Sequence, residues 1–286
     1  MGVPPPPRSY LYVPGNAADK LAKAPERGAD ALIVDLEDAV PMAGKAAARD
    51  AVTAWLAGRP TDLPIWVRVN SGPLAEADLR ALAGAPALTG VVLAKVDTSA
   101  DVAAAAELLA AAGDHDTLLM PLVETAAALL DVPALARQAR VYQLQIGEVD
   151  LAGELGLEPG ADDAELAPIR SQVVVASAAA GLHPPVGPVS TITADPVALA
   201  DSTRRLRRQG FAGRACIHPR QIPVVHEVHT PTVAEVQAAR AVIALLDRAT
   251  AAGSGVVLDE SGRLVDAAVL RSAHRTLALA DRAGVE

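Results

Sequence analysis

The sequence predicts an α/β protein, a (β/α)₈ TIM barrel with a C-terminal helical extension, and three observations carry that expectation. Eight short apolar runs recur along the chain: SYLYVPG (9–15), ALIVDLEDAV (31–40), PIWVRVN (64–70), GVVLAKV (90–96), TLLMPLVET (117–125), VYQLQIGEVD (141–150), VGPVSTI (186–192) and RACIHP (214–219). Ala- and Leu-rich stretches separate nearly all of them, and such alternation over roughly 250 residues is the pattern of a closed parallel barrel. Most runs also end on a charged or hydrogen-bonding residue: Glu37, Asp38, Arg68, Asn70, Lys95, Glu124, Asp150 and His218. Barrel enzymes gather their chemistry at the C-terminal ends of the strands, so this set reads as an acidic metal site with a cationic partner. The expected division is a barrel over 1–222 and an extension over 223–286 that covers an active site, its own or a neighbouring subunit's.

The elements follow in order. Pro4 to Pro7 make an extended arm. Pro14-Gly15-Asn16 is a turn, and Asn16 or Asp19 caps a helix around 17–27. A helix over 43–56 follows the second strand, and Asn70-Ser71-Gly72-Pro73 is a loop before a helix at 75–84. Thr98 or Asp101 starts the next helix, which Gly113 ends; another spans 126–139. The segment 151–170 breaks the rhythm and reads as a long βα loop of the kind that forms lids. Helices at 171–181 and 199–209 flank the seventh strand, residues 232–251 form an amphipathic helix after Pro231, 253–262 a turn-rich hairpin, and 266–283 a last helix.

Composition narrows the function classes. With 51% hydrophobic but only 2% aromatic residues, the core must be aliphatic. A net charge of −9 without a long basic block argues against nucleic acid; Arg204, Arg205, Arg207 and Arg208 suit the solvated face of a helix better than a phosphate site. The single cysteine, Cys216, rules out an internal disulfide and a multi-cysteine metal site. The N-terminus lacks the pattern of a signal peptide, and no apolar run reaches spanning length without Gly, Pro or charge. The expectation is a cytoplasmic protein with no membrane partner.

Glu124 and Asp150 fall at the ends of neighbouring strands just under about 5 Å apart, so they can share one cation. Oxygen-only ligands with open positions suit Mg²⁺, with Mn²⁺ as a substitute; the alternative is that each caps a helix or pairs with an arginine. Glu148 competes as a ligand. Alternation puts Trp66, Arg68 and Asn70 on one side of their strand, where Arg68 can hold a carboxylate or an enolate oxygen bidentately, pair with Glu37 or Asp38, or do both. Lys95 is a Schiff-base candidate or, beside carboxylates, a salt bridge. Asp35, Glu37 and Asp38 need a cation or hydrogen bonds to stay ionised. His218 is either a general acid or a hydrogen-bonded core residue.

Taken together, RSYLYVPGN (8–16), DLEDAV (35–40), Lys45 with Arg49, VRVN (67–70), LVET (122–125), GEVDL (147–151), CIHPRQI (216–222) and LVDAAVL (264–270) give the chain a resemblance, along essentially its whole length, to the citrate lyase beta-subunit-like family. That family includes malyl-CoA and citramalyl-CoA lyases and belongs to the phosphoenolpyruvate/pyruvate-binding barrel superfamily. The resemblance implies a Mg²⁺-dependent carbon–carbon lyase that joins or cleaves an acyl-CoA enolate and a small 2-oxo acid. It implies Glu124 and Asp150 as metal ligands and Arg68 as the group that stabilises the enolate. Backbone amides around Gly147, Glu148, Val149 and Asp150 would receive the acid's carboxylate, and Glu37 and Asp38 would hold metal-bound water and orient Arg68. Arg8 and Lys45 would contact the CoA phosphates. Asp266 would be the acid/base, delivered to a neighbouring subunit in a homo-oligomer, most often a trimer; an N-cap of the last helix is its other reading. The sequence departs from the family pattern at Val186, where members often carry Asp, and at Ala268, where they usually carry Pro. A citrate lyase beta subunit acting on an acyl-carrier-protein thioester, a free-acid aldolase, a thioesterase side reaction and a non-catalytic 2-oxo-acid binder are the competing functions.

Overall fold

The computed structural model describes residues 6–58 and 62–285, so Pro4 and Pro5 of the expected arm lie outside the described residues. Within them the chain separates into two compact units, 6–226 and 227–285, and the division falls inside one helix.

The first unit is a closed parallel barrel in sequential strand order. Its strands are β1 (Ser9–Pro14), β2 (Ala31–Asp35), β3 (Ile65–Val69), β4 (Gly90–Leu93), β5 (Leu118–Val123), β6 (Gln145–Ile146), β7 (Val186–Gly187) and β8 (Gly213–Cys216). The pairing of Ser9 with Arg214 shuts the ring. The period of two predicted from the sequence is what sorts the core. Tyr10, Ile33, Trp66, Val92, Met120, Leu122, Val186 and Ala215 fill the interior, while the alternate residues Leu11, Val34, Val67, Val69, Val91 and Val123 pack outward with the helices. Each such aliphatic side chain contributes about 1.5–3 kcal/mol on full burial.

Trp66 fits inside only because its register partner is Gly90. A Cβ there would lie 2.3 Å from the indole and 2.6 Å from the Leu118 carbonyl oxygen. Gly90→Ala is therefore expected to destabilise the barrel by about 1–3 kcal/mol, read as a lower urea midpoint at unchanged slope.

The surrounding helices are α1 (Ala18–Lys23, continued by a 3₁₀ turn to Arg27), α2 (Lys45–Ala57), α3 (Pro73–Leu82), α4 (Ser99–Ala111), α5 (Ala126–Leu135), α6 (Glu148–Leu155), α7 (Ala167–Ala179), α8 (Pro196–Gln209) and α9 (Gln221–His229). Both start signals read for α4 operate at once, because Thr98 and Asp101 form a capping box. Three expectations are corrected. The sixth run is not a strand to Asp150: the ladder ends at Ile146 and GEVD turns into α6, so the supposed loop over 151–170 begins as helix and becomes irregular only after Gly156, at φ 65°. The seventh run forms only two strand residues. α9 was not anticipated; Pro223 falls in its first turn, where no intrahelical N–H is lost.

The second unit holds α10 (Val233–Ala251), an antiparallel pair of β9 (Val257–Leu258) and β10 (Leu264–Val265), and α11 (Ala267–Ala283), with α10 packed on α11. Among the described residues no helix is long and apolar enough to cross a membrane.

Candidate active site

At the C-terminal end of the barrel strands lies a cavity of about 450 Å³, lined by Tyr12, Asp35, Asp38, Arg68, Glu124 and the segment Gly147–Asp150, among others. Arg68 projects into it from β3. Its main partner is Asp35 at the end of β2: Nε donates to Oδ1 at 2.8 Å and Nη2 to Oδ2 at 2.7 Å, a two-point fork. Nη1 meets Glu37 at 3.1 Å and Asp38 at 3.2 Å. Burial opposes the guanidinium's charge, but the Asp35 hydrogen bonds and the surrounding negative charge outweigh it and raise its pKa. The same burial, with Asp38 and Asp35 nearby, raises the pKa of Glu37 against the pull of Arg68. The guanidinium carbon sits 5.1 Å from the centre of the Tyr12 ring, a cation–π contact. Asp35 is fixed further by the N–H groups of Glu37 and Ala39, whereas the Asp38 side chain is 64% exposed. Asp38 is thus the partner that can yield Nη1 to an incoming oxygen.

Glu124 follows β5 and is buried; Asp150 sits in the first turn of α6. Their carboxyl groups lie within hydrogen-bonding reach of each other. Lys95 bridges them, with Nζ 2.5 Å from Asp150 Oδ2 and 3.4 Å from Glu124 Oε2, while its backbone N–H donates to Glu124 Oε1 at 2.7 Å. The salt-bridge reading of Lys95 is the one the geometry gives; the residue follows β4 in a left-handed turn at φ 50°. Burial, reinforced by Asp150, pushes Glu124 up to about 7. Two adjacent carboxylates, one of them deeply buried, form a hard-oxygen pair that suits a divalent cation. Among the described residues no third His, Cys, Asp or Glu joins them in a cluster that could hold a metal. Gly147 lets the pair form: a Cβ there would lie 2.6 Å from Glu124 Cβ and 3.1 Å from its Oε2. Gly147→Ala is expected to displace Glu124 and weaken Mg²⁺ binding about tenfold or more, measured by calorimetry.

The remaining expectations divide. The Gly147 N–H is taken by the Val123 carbonyl at 2.9 Å, so it is not free for a carboxylate. The next N–H groups, of Glu148, Val149 and Asp150, open α6 and have no intrahelical acceptor, so they can receive an anion. The Glu148 side chain is not a ligand: Arg170 holds it at 2.5 and 2.8 Å. Lys45 cannot serve CoA phosphates as it stands, since its three ammonium protons go to the carbonyls of Leu36 and Glu37 and to Asn70 Oδ1. Arg8 precedes β1, at the opposite end of the barrel from the cavity, and forks onto Asp30 at 2.8 and 2.9 Å. His218 is half-buried, its Nδ1 accepting from the Arg220 N–H at 3.1 Å. Asp266 is the N-cap of α11, its Oδ1 accepting from Ala268 and Val269.

Sequence reasoning missed the cations beside the cavity. A second cavity of about 330 Å³ shares Tyr12, Val13, Pro14 and Ile217 with the first and is lined by Asp19, Lys20, Lys23, Arg27 and His218, among others. Lys20 and Lys23 sit three apart on α1 and Arg27 four further on, a basic stripe that a helical projection of 17–27 would have exposed.

Known proteins resemble this chain along nearly its whole length. The chain is 35% identical to a citrate lyase subunit beta-like protein of Deinococcus radiodurans, across 94% of this chain and 96% of that one. It is 33% identical to a (3S)-malyl-CoA thioesterase of Cereibacter sphaeroides, across 96% and 94%. The solved structure of CitE from Mycobacterium tuberculosis, in complex with magnesium, acetoacetate and coenzyme A, matches with a TM-score of 0.79 at 30% identity, covering 98% of this chain and 99% of that one. Residues 8–219 match the HpcH/HpaI aldolase/citrate lyase family throughout, and the chain belongs to that family of carbon–carbon lyases.

Proposed function

We propose that this enzyme is a Mg²⁺-dependent lyase that cleaves or forms a short β-hydroxyacyl-CoA of the malyl-CoA or citramalyl-CoA type, with acetyl-CoA and a 2-oxo acid as the other side of the equilibrium. The observation that carries the reading is the convergence of Arg68, the Glu124–Asp150 pair and the open end of α6 on one cavity. Glu124 and Asp150 would hold the Mg²⁺, with Mn²⁺ as a substitute, and the ion would supply Lewis-acid polarisation of the oxygen beside the acid's carboxylate. The first-turn amides of α6 receive the acid's carboxylate. Asp266 takes the proton of the substrate hydroxyl, the oxygen forms the carbonyl of the 2-oxo acid, and the carbon–carbon bond breaks; its electron pair moves into the thioester and negative charge collects on the enolate oxygen, where Arg68 stabilises it. Asp35 holds the guanidinium at that position, and Glu37 and Asp38 steady its other edge. Asp266, from a neighbouring subunit in a homotrimer, then passes that same proton to the enolate carbon; in the synthetic direction it takes one from the acyl carbon and gives it to the new hydroxyl.

Lys20, Lys23 and Arg27 line the cavity through which the thioester's carrier would leave, and three cations there suit the CoA phosphates. Lys23→Glu is expected to raise the KM for a CoA thioester about tenfold with kcat unchanged, and to flatten its salt dependence.

The deciding experiment is cleavage of malyl-CoA and citramalyl-CoA with and without Mg²⁺, wild type beside Asp266→Ala. Metal-dependent release of acetyl-CoA and a 2-oxo acid, lost in the variant, is the expected result. Free CoA with malate would instead establish hydrolysis, the reading favoured by the similarity to a malyl-CoA thioesterase. Turnover of a carrier-protein thioester alone would make the chain a citrate lyase beta subunit.

A further inference from the structure

Arg170 is the least expected charge in the barrel unit. It lies on α7 with its side chain 2% exposed and pairs with Glu148, which lines the cavity. Its Nε donates to Glu148 Oε1 at 2.5 Å and its Nη2 to Oε2 at 2.8 Å, so both carboxylate oxygens are engaged by one planar fork. The clamp is itself held from two further sides. Nη1 reaches Gln209 on α8 at 3.3 Å, and Nη2 lies 3.5 Å from Asp163. Asp163, in a left-handed conformation at φ 55°, also pairs with Arg205 at 3.2 Å.

The place of this clamp is what gives it meaning. β6 contributes only Gln145 and Ile146 to the barrel, and only Gln145 pairs with β7. The ladder holds the start of α6 from the β5 side alone, through Ile146 beside Val123 and the Gly147 N–H on the Val123 carbonyl, yet the first turn beyond it carries Asp150 and the amides facing the cavity. Two acidic residues open the helix, Glu148 and Asp150. Both suit a helix N-terminus, but a site built on Glu124 and Asp150 requires Glu148 to stay out of it. Arg170 holds it out.

We infer that Arg170 is a positioning residue for the metal site: by clamping Glu148 against α7 it sets the first turn of α6, and with it the Asp150 carboxylate and the carboxylate-binding amides. This rests on the metal reading given under the proposed function. Partners one step behind a metal ligand typically change metal affinity 10- to 100-fold when lost.

The test is calorimetric titration of the purified chain with Mg²⁺ alone, paired with thermal melts. Arg170→Lys keeps the charge but not the fork; the expected result is a Kd for Mg²⁺ weaker by about tenfold or more. Breaking a buried pair from one side also threatens folding, so Glu148→Met with Arg170→Met removes both charges together. The expected double variant melts near the wild type and still binds Mg²⁺ weakly. A folded Arg170→Lys or double variant with a Kd within twofold of the wild type overturns the inference, whatever its melting temperature. A wild type that binds Mg²⁺ but cleaves neither thioester refutes the lyase reading and leaves this test standing; one that does not bind Mg²⁺ overturns both.

Discussion

Arg68→Lys lowers kcat by about 10²–10³-fold while changing the KM for the thioester far less. A lysine retains the charge but offers a single point, and Asp35 engages the guanidinium at two atoms while Nη1 faces Glu37 and Asp38. An ammonium drawn to Asp35 stops short of the enolate oxygen, so the loss falls on the transition state, where the charge develops, and not on ground-state binding. Stability gives the contrast. Arg68→Gln removes the charge altogether and leaves the buried Asp35 without its ion-pair partner, at a cost of about 3–5 kcal/mol. Asp35→Asn separates the two roles: it breaks the fork without touching the substrate, so kcat falls and KM holds. A steady-state comparison of the three variants beside their melting curves decides the matter. Arg68→Lys with kcat within threefold of the wild type would sink the enolate-stabilising role.

Much of this architecture is legible in the chain because a parallel barrel strand carries two signals at once. Trp66 and Val67 alternate between interior and helix layer as the period of two requires, and Arg68 continues the inward face into the cavity, whereas Asn70, past the end of β3, turns to Lys45 on α2 and Asp78 on α3. Helix starts with side-chain caps are equally readable, as the Thr98–Asp101 box shows. What misleads is a strand that ends early. VYQLQIGEVD is apolar and alternating to its last residue, but Gly147, wedged against Glu124, turns the backbone after Ile146. Alternation then assigns Glu148 and Asp150 to one side, whereas helical geometry rotates them apart: Glu148 inward to Arg170 and Asp150 outward to Lys95.

The same distinction separates the site residues that sequence could find from those it could not. Arg68, Glu124 and Asp150 stand out because a charge at the end of an apolar run is anomalous locally. Asp35 was visible as one of three crowded acids, but which of them takes the fork depends on the register of Asp35 beside Arg68 across β2 and β3. Lys45 and Arg8 look like free cations in one dimension. Their partners, Asn70 and Asp30, lie 25 and 22 residues away, a separation that no local pattern reports. Arg170 is the extreme case, since its meaning comes from three other segments meeting it in a buried pocket.

Glu124→Gln abolishes the stabilisation that Mg²⁺ gives the wild type. A ligand that binds only the folded chain raises its stability by about 2.7 kcal/mol at a hundredfold excess over Kd, so the wild type melts higher in Mg²⁺. Glutamine is nearly the same shape and still offers an oxygen to the Lys95 N–H, which Glu124 Oε1 accepts at 2.7 Å. It carries no charge for the cation. Because Glu124 is only 2% exposed, exchanging its carboxylate for an amide also removes a desolvation cost; the variant therefore melts no lower than the wild type without metal. Asp150→Asn loses the Mg²⁺ response as well, but its side chain is 46% exposed and its metal-free melt barely moves. The two variants thus share one loss and differ in their baselines, a pattern that a purely structural role for either carboxylate does not produce. If Glu124→Gln gains as much from Mg²⁺ as the wild type does, the cation is held elsewhere, and the pairing of Glu124 with Asp150 serves only to anchor Lys95.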